Sequence, residues 1–158
     1  MSPALRLLAC GPGLTVQDAG RFGLRRYGVA WAGAADRARH ALANALAGNP
    51  PEAAALEVTV AGARIAVRGG PVRLAAIGAA LAVDGHAVPP DSAADLTDGA
   101  EATLSAARPC LFGYLAVSGG LRVPPEMGSR SAHGRSGLGG GALEAGAVLP
   151  CGPAPAGP

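Results

Sequence analysis

Aromatic residues are scarce in this 158-residue chain, at 3%, and their scarcity removes the stacking platform on which single-stranded nucleic acids are held. An excess of one charge is missing too. Thirteen Lys and Arg against eleven Asp and Glu leave +2, and the arginines are scattered, so nothing suggests a nucleic-acid partner. No apolar run approaches the roughly 18 residues that a membrane-spanning helix needs. Cysteine is limited to Cys10, Cys110 and Cys151, odd in number and without a Cys-x-x-Cys pair. Neither a disulfide framework nor a zinc site is expected, and a reducing cytoplasm fits. The opening Leu5-Arg6-Leu7-Leu8-Ala9-Cys10 is shorter than a signal core of roughly 7 to 15 apolar residues and contains Arg6, so it reads as a first strand.

What the chain does contain is 49% apolar residues, mostly Ala, Val and Leu, cut into short segments by 25 glycines and 14 prolines. That punctuation favours many turns and a mainly β fold within one domain. Leu5 to Ala9 reads as a strand ended by Gly11-Pro12-Gly13, and Leu14 to Arg21 as a loop or short strand end. One clear helix is expected from Asp36, a competent N-cap. It carries Ala38, Ala41, Leu42, Ala45 and Leu46 on an apolar face and is stopped by Gly48 and Pro50-Pro51. From Leu56 the period changes to two: Leu56, Val58 and Val60 alternate with polar residues, as do Ile65 and Val67. Further strands are expected at Val72 to Ile77, Ala79 to Val83, Ala94 to Thr97, Ala102 to Ser105 and Gly113 to Val117. An Asp84-Gly85 turn leads into His86 to Val88. Closing so many short strands into a barrel would remove exposed edges. Residues 1–149 are taken as the folded unit, and 150–158, rich in Pro, Gly and Ala, as a disordered tail.

Four polar clusters carry the candidate chemistry, each with two readings. Gln17, Asp18 and Arg21 lie within five positions on a glycine-bounded loop, where they would orient a carboxylate or ureido group, or where Asp18 and Arg21 would simply brace a turn. Asp36, His40 and Asn44 share one helical face beside Gly33. That is an anion-binding helix start, or capping with a solvated polar stripe. Ser118-Gly119-Gly120 follows the apolar strand from Tyr114, offering either close backbone approach to a ligand or a plain bulge. Ser129, Arg130 and Ser131, with His133 and Arg135, precede the glycine stretch 137–141, which lacks the Lys-Ser/Thr of a phosphate-binding loop; an anion site and a mobile surface loop are the alternatives. A Ser-His-Asp triad is rejected, since no Gly-x-Ser-x-Gly elbow is present.

Taken in order, LTVQDAGRFGLRRYGV from Leu14, GAADRARHALANALAGNPPEAAALEVT from Gly33 to Thr59, and YLAVSGGLRVPPEMGSRS from Tyr114 to Ser131 resemble one family. It contains the C subunit of 5-oxoprolinase, allophanate hydrolase subunit 2, the KipA-type proteins and the carboxyltransferase region of urea amidolyase. The resemblance covers nearly all of this chain and the first half of the family domain. It implies a cyclophilin-like β-barrel half-domain and a subunit or truncated fragment of an ATP-dependent 5-oxoprolinase, opening 5-oxoproline to glutamate, or of a related biotin-dependent carboxyltransferase. ATP would act through the complex and biotin would sit on a partner; no attachment motif for either is visible here. The partners implied are subunits of A and B type and a small amide or lactam. The residues carried over are Gln17, Asp18, Arg21 and Asp36 as catalytic candidates, and Asn44, Glu57, Ser118, Gly119, Gly120, Ser129, Arg130 and Ser131 as substrate-binding candidates. No metal ligand is expected. The alternative is a non-catalytic, KipA-like regulatory module or an inactive remnant.

Overall fold

The computed structural model describes residues 2–154. Its strands are β1 (Ala4–Cys10), β2 (Thr15–Gln17), β3 (Ala55–Val58), β4 (Ala63–Arg68), β5 (Val72–Ile77), β6 (Ala79–Val83), β7 (His86–Ala87), β8 (Ser92–Leu96), β9 (Glu101–Ala107), β10 (Gly113–Val117) and β11 (Val148–Pro150). Among the described residues one α-helix, α1 (Arg37–Leu46), and one 3-10 turn at Arg25–Tyr27 interrupt them. The strands form two antiparallel sheets, ordered β11-β1-β4-β9-β6-β7 and β2-β3-β10-β5-β8. The mainly β reading with one helix therefore holds, and the barrel is open, because the hydrogen-bond ladder does not run unbroken from one sheet to the other.

The two sheets meet at a corner. Gly78, at φ +73°, separates β5 in one sheet from β6 in the other, a backbone state that a side chain would strain. Beside it the Arg108 amide donates to the Gly78 carbonyl at 3.3 Å and the Ala107 amide to that of Thr59 at 2.9 Å.

Sequence pattern explains which faces are covered. In β9 the exposed Glu101, Thr103 and Ser105 alternate with buried Ala102 and Leu104, the signature of a sheet wetted on one side. The other sheet is covered on both: β3 and β10 are buried at every position. Its inner face contributes Leu56, Val58, Leu74, Leu115 and Val117 to a core shared with Leu5, Leu7, Ile65, Val67 and Leu104 of the first sheet. Its outer face, with Ala55, Ala75, Ile77, Tyr114 and Ala116, packs on Ala43 and Ala47 beneath α1.

The orientation of α1 corrects the sequence expectation. Its buried residues are His40, Ala43 and Asn44, whereas Leu42 is 50% exposed and Ala38 and Ala45 also face outward. The stripe read as solvated is thus the packed face. Alanines on both sides let helix and sheet approach closely, and the two inward polar groups find carbonyl partners, so their burial is compensated. The end of the helix follows expectation, with Gly48 at φ +79° just past the last turn.

Two smaller corrections concern strand ends. β3 stops at Val58, and Val60 is 73% exposed. Order also continues past Leu149: β11 pairs with β1 through Pro150, Cys151 donates its amide to Pro3 at 2.9 Å, and Gly152 donates to Gly120 at 2.9 Å. The tail expected to be disordered from Pro150 is therefore built into the fold through Gly152; residues 155–158 lie outside the described residues. Among the described residues no helix is long and apolar enough to cross a membrane.

Candidate functional site

Asp18 follows β2 and gathers the first and fourth sequence clusters into one assembly. Its carboxylate accepts hydrogen bonds from the Gly20 amide (2.8 Å), the Ser129 hydroxyl (2.6 Å), the Ser131 hydroxyl (2.6 Å) and the Arg130 amide (2.7 Å). In return the Asp18 amide donates to Ser131 Oγ at 2.9 Å. Burial by itself would push the Asp18 carboxyl upward, but these four donors outweigh it and hold the group below its ordinary value. Three of these donors converge on Oδ1 and one, the Arg130 amide, on Oδ2, so the carboxylate is held on both oxygens by the chain itself.

Arg21 is 1% exposed and serves the same loop. Its Nε donates to the Glu126 carbonyl (2.9 Å) and Nη2 to that of Ser129 (3.3 Å), while its own amide donates to Trp31. Gln17 Nε2 donates to the Ala132 carbonyl at 3.1 Å. Among the described residues, buried Gln17 Oε1 and Arg21 Nη1 have no hydrogen-bond partner.

The start of α1 is closed to outside anions by the chain's own acids. The Asp36 side chain accepts from the Arg39 amide at 3.0 Å as N-cap. Glu57 Oε2 accepts from the Ala35 amide and from the Tyr114 hydroxyl, both at 2.8 Å, and that hydroxyl accepts from the Asp36 amide at 2.7 Å. Burial, reinforced by Glu57, raises the Tyr114 pKa and keeps the phenol protonated. His40 Nε2 lies 3.1 Å from the Gln17 carbonyl, and its ring meets Tyr114 edge-on at 5.6 Å. Burial lowers the His40 pKa, against the opposing pull of that carbonyl and of Asp18 and Glu57.

A chain of amides joins the end of α1 to the loop after β10. Asn44 Nδ2 donates to Ala53 (2.8 Å), Asn49 Nδ2 donates to Asn44 Oδ1 (3.1 Å) and to Val117 (2.7 Å), and Asn49 Oδ1 accepts from the Gly119 amide (2.8 Å). Ser118 Oγ accepts from the Arg73 amide at 3.0 Å. Gly119 itself adopts φ +82°, and a Cβ there would stand 2.2 Å from the Gly152 carbonyl.

These frames enclose two clefts. The larger, about 380 Å³, is lined by Asn49, Glu52, Gly119, Gly120, Arg122 and Arg130 among others. The smaller, about 210 Å³, is lined by Asp18, Arg37, His40 and Glu52 among others. Glu52 borders both. Of the residues chosen from sequence, Gly119, Gly120 and Arg130 line the larger cleft and Asp18 the smaller. Gln17, Arg21, Asn44, Ser118, Ser129 and Ser131 brace the loops around them, while Asp36 caps α1 and Glu57 reaches from β3 to the backbone just before it. Sequence reasoning missed Asn49, Glu52, Arg122 and Tyr114. Asn49 and Glu52 flank the prolines read only as a helix stop, and Arg122 is a single charge between Leu121 and Val123.

The loop beside the smaller cleft also exposes Phe22, Tyr27 and Trp31, at 55%, 65% and 44%. Arg37 lies 5.7 Å from the centre of the Phe22 ring, Arg26 4.7 Å from Tyr27 and Arg25 5.0 Å from Trp31.

Comparison with known proteins adds an independent line. Residues 27–158 match the family described as carboxyltransferase domain, subdomain A and B. The C subunit of 5-oxoprolinase from Escherichia coli (strain K12) is 36% identical over 137 residues, which is 86% of this chain and 44% of that protein. Urea amidolyase of Saccharomyces cerevisiae is 30% identical over 139 residues, 87% of this chain and 8% of that protein. The crystal structure of the Kluyveromyces lactis urea amidolyase superposes with a TM-score of 0.89 at 27% identity, covering 98% of this chain and 10% of that one. The chain thus spans less than half the length of the E. coli relative.

Proposed function

Since this chain belongs to the carboxyltransferase domain family, subdomain A and B, we propose that it works as the carboxyltransferase-type part of a multi-subunit, 5-oxoprolinase-type complex. In this reading the complex opens 5-oxoproline to glutamate at the expense of ATP, with partner subunits of A and B type, in the cytoplasm. The free thiols of Cys10, Cys110 and Cys151 support a reducing compartment. The observation that carries the reading is the convergence of the family-like segments on one cleft: Gly119, Gly120 and Arg130 line it, and Asp18, Ser129 and Ser131 fix the backbone of Arg130. Asp18, Gln17, Arg21, Ser129 and Ser131 are positioning residues here, and Arg130 is the group that meets the ligand.

Nucleotide chemistry does not fit this chain's own residues. Within the glycine stretch 137–141, the amide of Gly139 already donates to the Glu126 carboxylate at 2.8 Å, and a carboxylate at that point repels phosphate. ATP is accordingly assigned to a partner, as is biotin, and no step is routed through either group here. Mixing the chain with its partner subunits, 5-oxoproline and ATP, and omitting the chain from a parallel sample, tests the proposal. Glutamate release that requires the chain supports it, and equal release in both samples overturns it.

A second reading, a non-catalytic interaction module, is favoured by one observation. The outward face of α1 is apolar at Ala38, Leu42 and Ala45, next to the arginine-covered aromatic loop. The omission experiment separates the two, since a module without catalytic function leaves glutamate release unchanged.

A further inference from the structure

Arg122 and Arg130 approach the larger cleft from different segments, each held by its backbone amide, and both line it. The backbone amide of Arg130 is held by Asp18 at 2.7 Å, and its Nε donates to the Val123 carbonyl at 2.8 Å. The amide of Arg122 donates to Pro150 at 2.7 Å, and its guanidinium lies against Gly152. A Cβ at Gly152 would stand 2.2 Å from the Gly119 carbonyl, which bars a side chain there, and 2.6 Å from Arg122 Nε, which shows how closely the guanidinium approaches that backbone. Among the described residues the ion pairs are Arg39 with Asp36, Arg64 with Glu101, and Arg73 with Asp95. Neither cleft arginine is in one. Glu52 is the single carboxylate among the lining residues.

Two guanidinium forks and one carboxylate around about 380 Å³ make a cleft with a net positive lining. Guanidinium recognises carboxylate in a bidentate manner, whereas a neutral ureido or lactam group offers no charge to offset it. We propose that Arg122 and Arg130 form a carboxylate-binding subsite that selects small carboxylate-bearing lactams or amides over neutral ones, with Glu52 accepting a ligand N–H. The inference rests on the proposed 5-oxoprolinase-type function and names the residues that would set its specificity. It brings in Arg122 and Glu52, which lie inside the family-like segments but are not among the residues carried over from them.

The test compares 5-oxoproline with 2-pyrrolidinone, the same lactam ring without the carboxylate, by NMR titration of the whole chain. The expected result is tighter binding of 5-oxoproline by about tenfold or more, with shifts at the Gly119, Gly120, Arg122 and Arg130 amides. Arg122→Ala and Arg130→Lys should each weaken 5-oxoproline by about tenfold, the scale of one charge-assisted bond, and leave 2-pyrrolidinone unchanged. Arg122 is exposed, so its truncation leaves the core intact and keeps the test valid if the Arg130 variant folds poorly. Equal binding of the two lactams, absence of binding by both, or wild-type affinity in Arg122→Ala overturns the subsite. If a complex containing Arg122→Ala opens 5-oxoproline with unchanged KM, the subsite fails while the broader functional reading stands.

Discussion

Asp18 and Ser129 lie 111 positions apart in sequence and meet through a 2.6 Å hydrogen bond, so the loop after β2 and the loop before Ser131 are one mechanical unit. Asp18→Asn replaces a carboxylate oxygen by a donor that faces other donors. The expected cost is about 1–3 kcal/mol, the penalty for leaving buried hydrogen-bonding groups unmatched, measured by urea denaturation. Ser129→Ala removes one donor and should cost about 1 kcal/mol.

The pH dependence of stability follows from two groups. The folded Asp18 pKa lies below its unfolded value, so its contribution is complete above the unfolded pKa of about 3.9 and is lost as pH falls through the folded value. The His40 pKa is also depressed, and the neutral imidazole is the favoured form. Its contribution is complete above the unfolded pKa of about 6.5 and declines as pH falls toward the folded value. Replacing His40 with Leu should flatten the stability profile below neutrality while leaving the acid limb from Asp18. Denaturation midpoints between about pH 3 and pH 8 check both signs.

Gly119→Ala places a Cβ 2.2 Å from the Gly152 carbonyl at a backbone φ of +82°. A loss of about 2 kcal/mol or more is expected, from strain and displacement of the tail together. Gly128→Ala is the control: its φ is +81° but nothing lies within 4 Å, so only the backbone term of about 1 kcal/mol remains. Thermal unfolding of the two variants gives the difference directly.

The packing of α1 makes a prediction opposite to that of its sequence pattern. Leu42→Ser, on the outward face, should change stability by no more than about 0.5 kcal/mol. Ala43→Leu, against Ala75 and Ala116, should cost about 1–3 kcal/mol through overpacking.

Much of the fold was legible because alternation records one wetted face. In β9, Glu101, Thr103 and Ser105 point out in register with the pattern, and the Asp84-Gly85 turn lies where β6 meets β7. The orientation of α1 was not legible. Its inward polar groups are satisfied by the Gln17 and Ala53 carbonyls, supplied from outside the helix, so local periodicity pointed to the wrong face. The candidate site divides the same way. Gln17, Asp18, Arg21, Ser129, Arg130 and Ser131 stood out as clustered polar residues, but their mutual bonding is a product of the fold. Arg122 and Glu52 carry no local signal, because a solitary charge becomes part of a cleft only when Gly152 and the Pro50–Pro51 turn place it there.

The most direct measurement is a titration of this chain into fixed amounts of its partner subunits with saturating ATP and 5-oxoproline, following glutamate release. The account predicts a rate that rises with added chain and saturates at a fixed ratio, as a stoichiometric subunit requires. A rate independent of the chain at every ratio would contradict it.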